Sequence, residues 1–102
     1  MAKILVLYNQ PTDPAAFDRY YFETHIPLAA KIPGVKSCVL NEGPPALIAG
    51  TQAPYLIGEL TFDGMADLQS GMASAEGQAT AADLANFAGA GVTILAFETK
   101  NA

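Results

Sequence analysis

Four short stretches of the chain are densely apolar: Met1–Tyr8, Val35–Asn41, Tyr55–Phe62 and Val92–Glu98. Each has strand length and is rich in β-branched, leucine or aromatic residues. Between them the apolar spacing widens to three and four, the rhythm of helices. Asp13 followed by Pro14 predicts a helix start, because the carboxylate can accept an orphan backbone N–H and proline suits the first turn. That helix should run to about Ile32 and stop at Pro33-Gly34. "NEGPPALIAGTQAP" carries three prolines and two glycines and reads as loop. Asp63 predicts the cap of a helix reaching about Met72. Ser74 restarts the helix, with Glu76 in its first turn, and "AGAG" ends it near Phe87.

The resulting order, β-α-β-β-α-β, predicts an α+β chain of the ferredoxin-like type with a four-stranded antiparallel sheet. A length of 102 residues predicts one domain over 1–102. In the first strand Ile4, Val6 and Tyr8 oppose Leu5 and Leu7, and in the last Val92, Ile94 and Ala96 oppose Leu95 and Phe97. Strands apolar on both parities are expected to be covered on both faces. In this architecture both helices lie on one face. The other would expose more than the ~300–600 Å² of apolar patch usual on a monomer. The expected cover is the same face of a second copy, a two-fold homodimer closed sheet on sheet.

Composition narrows the partners. The chain is 51% hydrophobic with a net charge of −5, and its five Lys and Arg residues form no cluster. Nucleic acid and anionic membranes both require a basic patch, so neither is an expected partner. "ILVLY" is far shorter than the roughly 20 residues of a membrane span. Cys38 is the lone cysteine; it forms no intrachain disulfide, which suits a reducing, cytoplasmic location, and it is expected to be a small buried apolar group. One histidine and one cysteine do not supply a zinc site. "GAG" at 89–91 follows a helix and precedes a strand, the reverse of a phosphate-binding loop. Haem needs a single axial ligand, and nothing in the pattern points to it. No metal or cofactor is expected.

The single histidine lies in "FDRYYFETHIPLAAKIPG". Positions Phe17, Tyr21, His25, Leu28 and Ile32 share one helical face and should point at the sheet. Pro27 lacks an N–H, so the Glu23 carbonyl should lose its partner and the helix should kink beside the imidazole. An inward histidine can be a packed core residue held by one hydrogen bond, or a group that exchanges protons in a cavity; the spacing allows both. Glu59 shares its parity with Tyr55, Ile57 and Thr61, opposite Leu56, Gly58, Leu60 and Phe62, which places it on the face away from the helices. Asp83 and Asn86 are expected to face solvent.

The same stretch resembles the first-helix signature of the EthD family, small proteins named from an ether-degradation gene cluster. The resemblance continues in "PYLIGELTFDGMADL" and "SAEGQATAADLANFAGAGVTIL", covering most of the chain outside the Asn41–Ala53 loop. It implies the dimeric α+β barrel fold, in which two ferredoxin-like sheets close face to face and a cavity lies between each sheet and its helices. Relatives of that fold include monooxygenases, isomerases, lyases and cyclases acting without metal or organic cofactor, and others that bind haem. By this resemblance His25 is the family's helix-one histidine, and Tyr21 and Pro27 match its neighbours. Ala75 departs from the proline that many members carry there.

Together these readings describe a homodimer with a small apolar molecule in a pocket between sheet and helices. His25 would be the general acid or base and Tyr21 would orient the substrate or polarise an oxygen, in proton-transfer chemistry on a small carbonyl, lactone or phenolic compound. The rival is a non-catalytic binding or accessory protein with the same pocket.

Overall fold

The computed structural model describes all of residues 1–102. Its four strands are β1 (Ala2–Tyr8), β2 (Ser37–Leu40), β3 (Leu56–Phe62) and β4 (Val92–Glu98). They form one sheet in the order β2-β3-β1-β4, with every neighbouring pair antiparallel. This is the α+β, ferredoxin-like fold expected from the element order. The two-residue side-chain period decides what each face carries. Ala2, Ile4, Val6 and Tyr8 are buried under the helices together with Leu56, Leu60 and Phe62. Opposite Val6 stands Gly58 on one side and Ile94 on the other.

The first helical segment, expected to run to about Ile32 with a kink beside the imidazole, is divided by a change of helix type. The α-helix α1 (Pro14–Tyr20) is capped by Asp13, whose carboxylate accepts the Ala16 N–H at 3.1 Å. A π-helical turn then spans Tyr21–His25, where the Ile26 N–H reaches back to the Tyr21 carbonyl, and α2 (Ile26–Ala29) completes the run. Pro27 therefore falls in the first turn of α2, where its missing N–H costs least. The wider turn brings residues four apart onto one line. Phe17, Tyr21, His25 and Ile32 are buried as expected, but Ala29 takes the inward place and Leu28 is only half-buried.

After β3 in the chain, α3 (Met65–Ala73) starts at Gly64, which has no side chain to cap it; Asp63 is not the cap and instead lies 3.5 Å from Lys36. The helix α4 (Ala75–Asp83) begins as expected at Ser74, whose hydroxyl accepts the Gly77 N–H at 3.0 Å, and it leads into a 3₁₀ turn over Leu84–Asn86. Two glycines allow close approaches here, Gly77 of α4 to Gly71 and Met72 of α3, and Gly71 of α3 to Ile32 and Pro33. A Cβ on Gly77 would stand 2.6 Å from the Met72 Cα, and one on Gly71 would stand 2.6 Å from the Pro33 carbonyl oxygen.

The face away from the helices is open. Leu5, Leu7 and Ile57 are half-buried there, and Leu95 and Phe97 are 48% and 40% exposed. Glu59 lies on this face as its parity predicts, in an ion pair with Lys3. Two expectations fail on the edge strands. Within one subunit β4 is not covered on both sides: Ile94, on the helix side, is 48% exposed because no helix reaches over it. Cys38 is exposed rather than buried, because β2 is the opposite edge and is short.

The crowding around Gly77 yields a stability prediction. Gly77→Ala should destabilise the protein by about 1–3 kcal/mol, the usual cost of overpacking against backbone that cannot move aside. Gly89→Ala, with nothing within 4 Å of its new methyl, should change stability by no more than about 0.5 kcal/mol. Urea melts at equal protein concentration measure both; equal midpoints for the two variants would contradict the packing argument.

Candidate functional site

Helix and strand parity converge on a cavity between the sheet and the helices. Its walls include Val6, Tyr8, Tyr21, His25, Gly58 and Leu60, and its volume is about 60 Å³. A water needs roughly 10–15 Å³ measured this way, so the space takes a few waters or part of a small ring. The lining is mostly aliphatic and aromatic. Ile94 and Ala81, both exposed, also line it, so the cavity reaches the surface on the β4 side. A larger, open groove of about 510 Å³ runs beneath the 41–55 loop past Asp18, Asn41 and Tyr55. Three of its polar side chains are already engaged: the Tyr55 hydroxyl donates to Asp18 at 2.9 Å, and the Asn41 carbonyl oxygen accepts the Ile57 N–H at 2.7 Å. The smaller cavity is the better candidate because it is lined by His25 and by Tyr8 and Tyr21, all buried, and the two tyrosine hydroxyls have no hydrogen-bond partner in the protein.

His25 sits on its wall, 5% exposed, with its ring 4.7 Å from that of Phe87 and 5.6 Å from that of Tyr21. The Nδ1 atom of His25 lies 2.9 Å from Oδ2 of Asp83. An ionised carboxylate only accepts, so Nδ1 carries a hydrogen, and in the neutral imidazole the lone pair is then on Nε2. No fully occluded side-chain nitrogen or oxygen in the protein lacks a partner, and Nε2 has none. It is therefore not fully occluded, and His25 is one of the residues that line the cavity.

Asp83 corrects a sequence expectation. It is 8% exposed rather than solvent-facing, and both its oxygens are used. Its Oδ1 accepts the Tyr20 hydroxyl at 2.6 Å and the Asn86 amide at 3.0 Å, while Oδ2 takes His25. Asn86 is itself exposed, as expected, but its amide is committed to Asp83. Burial pushes the Asp83 carboxyl up, but the hydrogen bonds from Tyr20, Asn86 and His25 outweigh it and hold the group below the ordinary aspartate value. The same bond to Asp83 pushes the Tyr20 hydroxyl up. Pattern reading missed Asp83 because α4 is inverted. Gly77, Thr80 and Asp83 are buried while Ala81 and Ala82 are exposed, so hydrophobicity points to the wrong face. The usable signal is the three-residue spacing of those inward positions.

Tyr21 is also on the cavity wall, 3% exposed, and burial is the main cause that drives its hydroxyl pKa far upward. It stays a protonated donor at every ordinary pH. Gly58 makes its place: a Cβ there would lie 3.3 Å from the Tyr21 hydroxyl oxygen. Cys38 reaches the cavity from β2, where partial burial raises the thiol. The structure thus brings both sequence-predicted residues, His25 and Tyr21, to one cavity, and adds Asp83 and Tyr20 behind the histidine.

The lowered Asp83 pKa sets a sign for pH dependence. A carboxyl whose folded pKa lies below its unfolded value contributes stability that is complete above the unfolded pKa and lost as pH falls through the folded one. Wild type should therefore lose stability on acidification below the ordinary carboxylate range, and Asp83→Asn should be less stable at neutral pH but show a shallower acid limb. Urea midpoints against pH at constant protein concentration read this. Identical acid limbs in the two proteins would show that the buried carboxylate is not the group being protonated.

No helix of the protein is long and apolar enough to cross a membrane. Comparison with known proteins agrees with the fold. A curated relative, the "uncharacterized 11.0 kDa protein in thcB-thcC intergenic region" of Rhodococcus erythropolis, is 41% identical over 95 residues, covering 93% of this chain and 91% of its own. The crystal structure of an ethyl tert-butyl ether degradation (EthD) family protein from Bacillus halodurans matches with a TM-score of 0.87 and 37% identity, over 98% of this chain and 99% of that one. A dimeric ferredoxin-like protein of unknown function from Thermobifida fusca matches with a TM-score of 0.67 at 15% identity, over 96% and 90% of the two chains, a likeness of fold alone. The model of the EthD domain matches residues 9–91; with the two relatives above 30% identity over nearly the whole chain, this protein belongs to the EthD family.

Proposed function

We propose that residues 1–102 act as one EthD-like domain, without a cofactor, as a proton-transfer enzyme on a small, largely apolar carbonyl, lactone or phenolic compound. The observation that carries this reading is the buried Asp83–His25 bond, 2.9 Å long, on the wall of an apolar cavity. The carboxylate holds the imidazole in one tautomer and stabilises the imidazolium formed when Nε2 takes a proton. With a ketone in the cavity, the bond from an α-carbon to hydrogen breaks and its proton goes to Nε2. The electron pair forms the carbon–carbon double bond of an enolate, whose oxygen takes the negative charge. Return of the proton to the same or another carbon gives exchange or isomerisation. Tyr21, a donor that stays protonated, orients the substrate or polarises its oxygen.

The rival reading, a non-catalytic binding or accessory protein, draws on the same apolar lining. A second ionisable group directly behind the histidine favours catalysis over storage, because a ligand held only by burial does not require it. The enzyme reading is tested with cyclohexanone in deuterated buffer, following loss of the α-proton signal by NMR. Wild type should accelerate exchange over buffer. His25→Gln should lose at least a hundredfold of that acceleration, within the usual range for a general base, and Asp83→Asn about tenfold. Tight binding of cyclic ketones with no acceleration of exchange in wild type would leave the binding reading in place.

We further propose that two copies join through the open sheet face into a barrel, and that the protein works in the cytoplasm, where a lone cysteine stays reduced. Support for the dimer comes from Leu5, Leu7, Leu95 and Phe97, which form an apolar surface around the Lys3–Glu59 pair with no cover inside one subunit. Burying an unpaired charge in such an interface is expensive. Leu5→Glu should therefore weaken the dimer at least tenfold in light scattering after size exclusion. A wild-type protein that stays a soluble monomer at micromolar concentration would refute the sheet-face dimer.

A further inference from the structure

Tyr8, on β1, has no part in the chemistry described so far, yet it lines the same cavity at 2% exposure. Its ring packs edge-on to that of Tyr21, with centroids 5.5 Å apart. The hydroxyls of Tyr8 and Tyr21 make no hydrogen bond to any protein group, whereas Tyr20 and Tyr55 both donate to carboxylates. Every fully occluded side-chain oxygen in the protein has a partner, so the two unpaired hydroxyls are not fully occluded, and both residues line the cavity. Burying a hydroxyl without a partner is costly, and a structure retains such groups where something else satisfies them. Gly58 keeps the space beside Tyr21 clear, since any side chain there would press on its hydroxyl at 3.3 Å. The titratable groups that act on these hydroxyls are the Cys38 thiol and, for Tyr8, Asp83, whose oxygens already accept from Tyr20, Asn86 and His25.

We propose that the Tyr8 and Tyr21 hydroxyls are a paired donor site that binds one acceptor oxygen of a small cyclic carbonyl compound in this cavity. Burial, the largest cause, pushes both phenols far above their ordinary range, so both remain donors. Two donors converging on one oxygen hold a carbonyl and stabilise it further as it becomes an enolate. The pair rests on and deepens the proposed proton-transfer reading: it assigns the oxygen of the substrate to Tyr8 and Tyr21, and its carbon acid to His25. In the sequence Tyr8 stands out only as one of the alternating apolar positions of the first strand, and the family motif does not include it.

The test uses binding and so does not depend on turnover. Cyclohexanone is compared with methylenecyclohexane, which has the same shape and no acceptor oxygen, against the intact wild-type protein and its Tyr8→Phe, Tyr21→Phe and double Phe variants. Each single variant should lose about three- to tenfold in affinity for the ketone, the worth of one hydrogen bond, with affinity for the alkene unchanged within twofold. The carbonyl stretch of bound cyclohexanone should lie at lower frequency in wild type than in the double variant. Alkene binding also reports that each variant is folded. If Tyr8→Phe fails that check, Gly58→Ala serves instead, since its methyl intrudes on the oxygen site and should weaken the ketone selectively. Equal changes for ketone and alkene, an unshifted carbonyl stretch, or no binding of the ketone to wild type would each overturn the proposal. Ketone binding lost in the Phe variants alongside absent α-proton exchange in wild type would sustain the donor pair and remove the proton-transfer reading instead.

Discussion

A carboxylate buried to 8% exposure has to be matched by donors, and the arrangement around Asp83 follows from that requirement. Asp83 sits where α4 ends, and its three donors come from the first helix and from the turn just beyond it. Tyr20 is the last residue of α1 and His25 the last of the π turn, five positions on. The five-residue turn is what lets both side chains address the same carboxylate while Tyr21, between them, points at the sheet. π turns of this kind are frequent at functional sites because they redirect side chains without ending the helix. Phe87 then fills the space between the two helices, its ring 5.3 Å from Tyr20 and 4.7 Å from His25. Removing the carboxylate would leave three donors short of an acceptor, so the polar cluster, the helix shape and the aromatic packing form one unit.

The apolar side of the cavity has a different origin. Gly77 lets α4 approach α3 closely, and the helices leave most of β4 exposed. Ile94 is consequently both a cavity wall and a surface residue. Gly58 does the corresponding work in the sheet, withholding a side chain at the point where the Tyr21 hydroxyl and the cavity meet. The site is thus defined as much by side chains that are absent as by those that are present.

The elements that the sequence made legible are those whose signals are local. Alternation in Met1–Tyr8 and Tyr55–Phe62 determines which residues face the helices, since a one-residue slip would turn Ile4, Val6 and Leu60 outward and Glu59 inward. Asp13 and Ser74 cap helices because a side-chain oxygen three residues from a free N–H is enough. The helix-one face likewise brought His25 and Tyr21 inward. Only the tertiary structure decided the rest. Whether Asp63 caps a helix depended on where the chain turned, and Gly64 took the place. Whether Cys38 was covered depended on β2 being an edge. Asp83 was read as solvated because a charged residue among alanines looks like a surface. It is buried because partners from 58 and 63 positions away in the chain satisfy both its oxygens. Hydrophobic periodicity reports transfer out of water for each side chain separately, and a buried polar group is stabilised only by the partners the fold assembles around it.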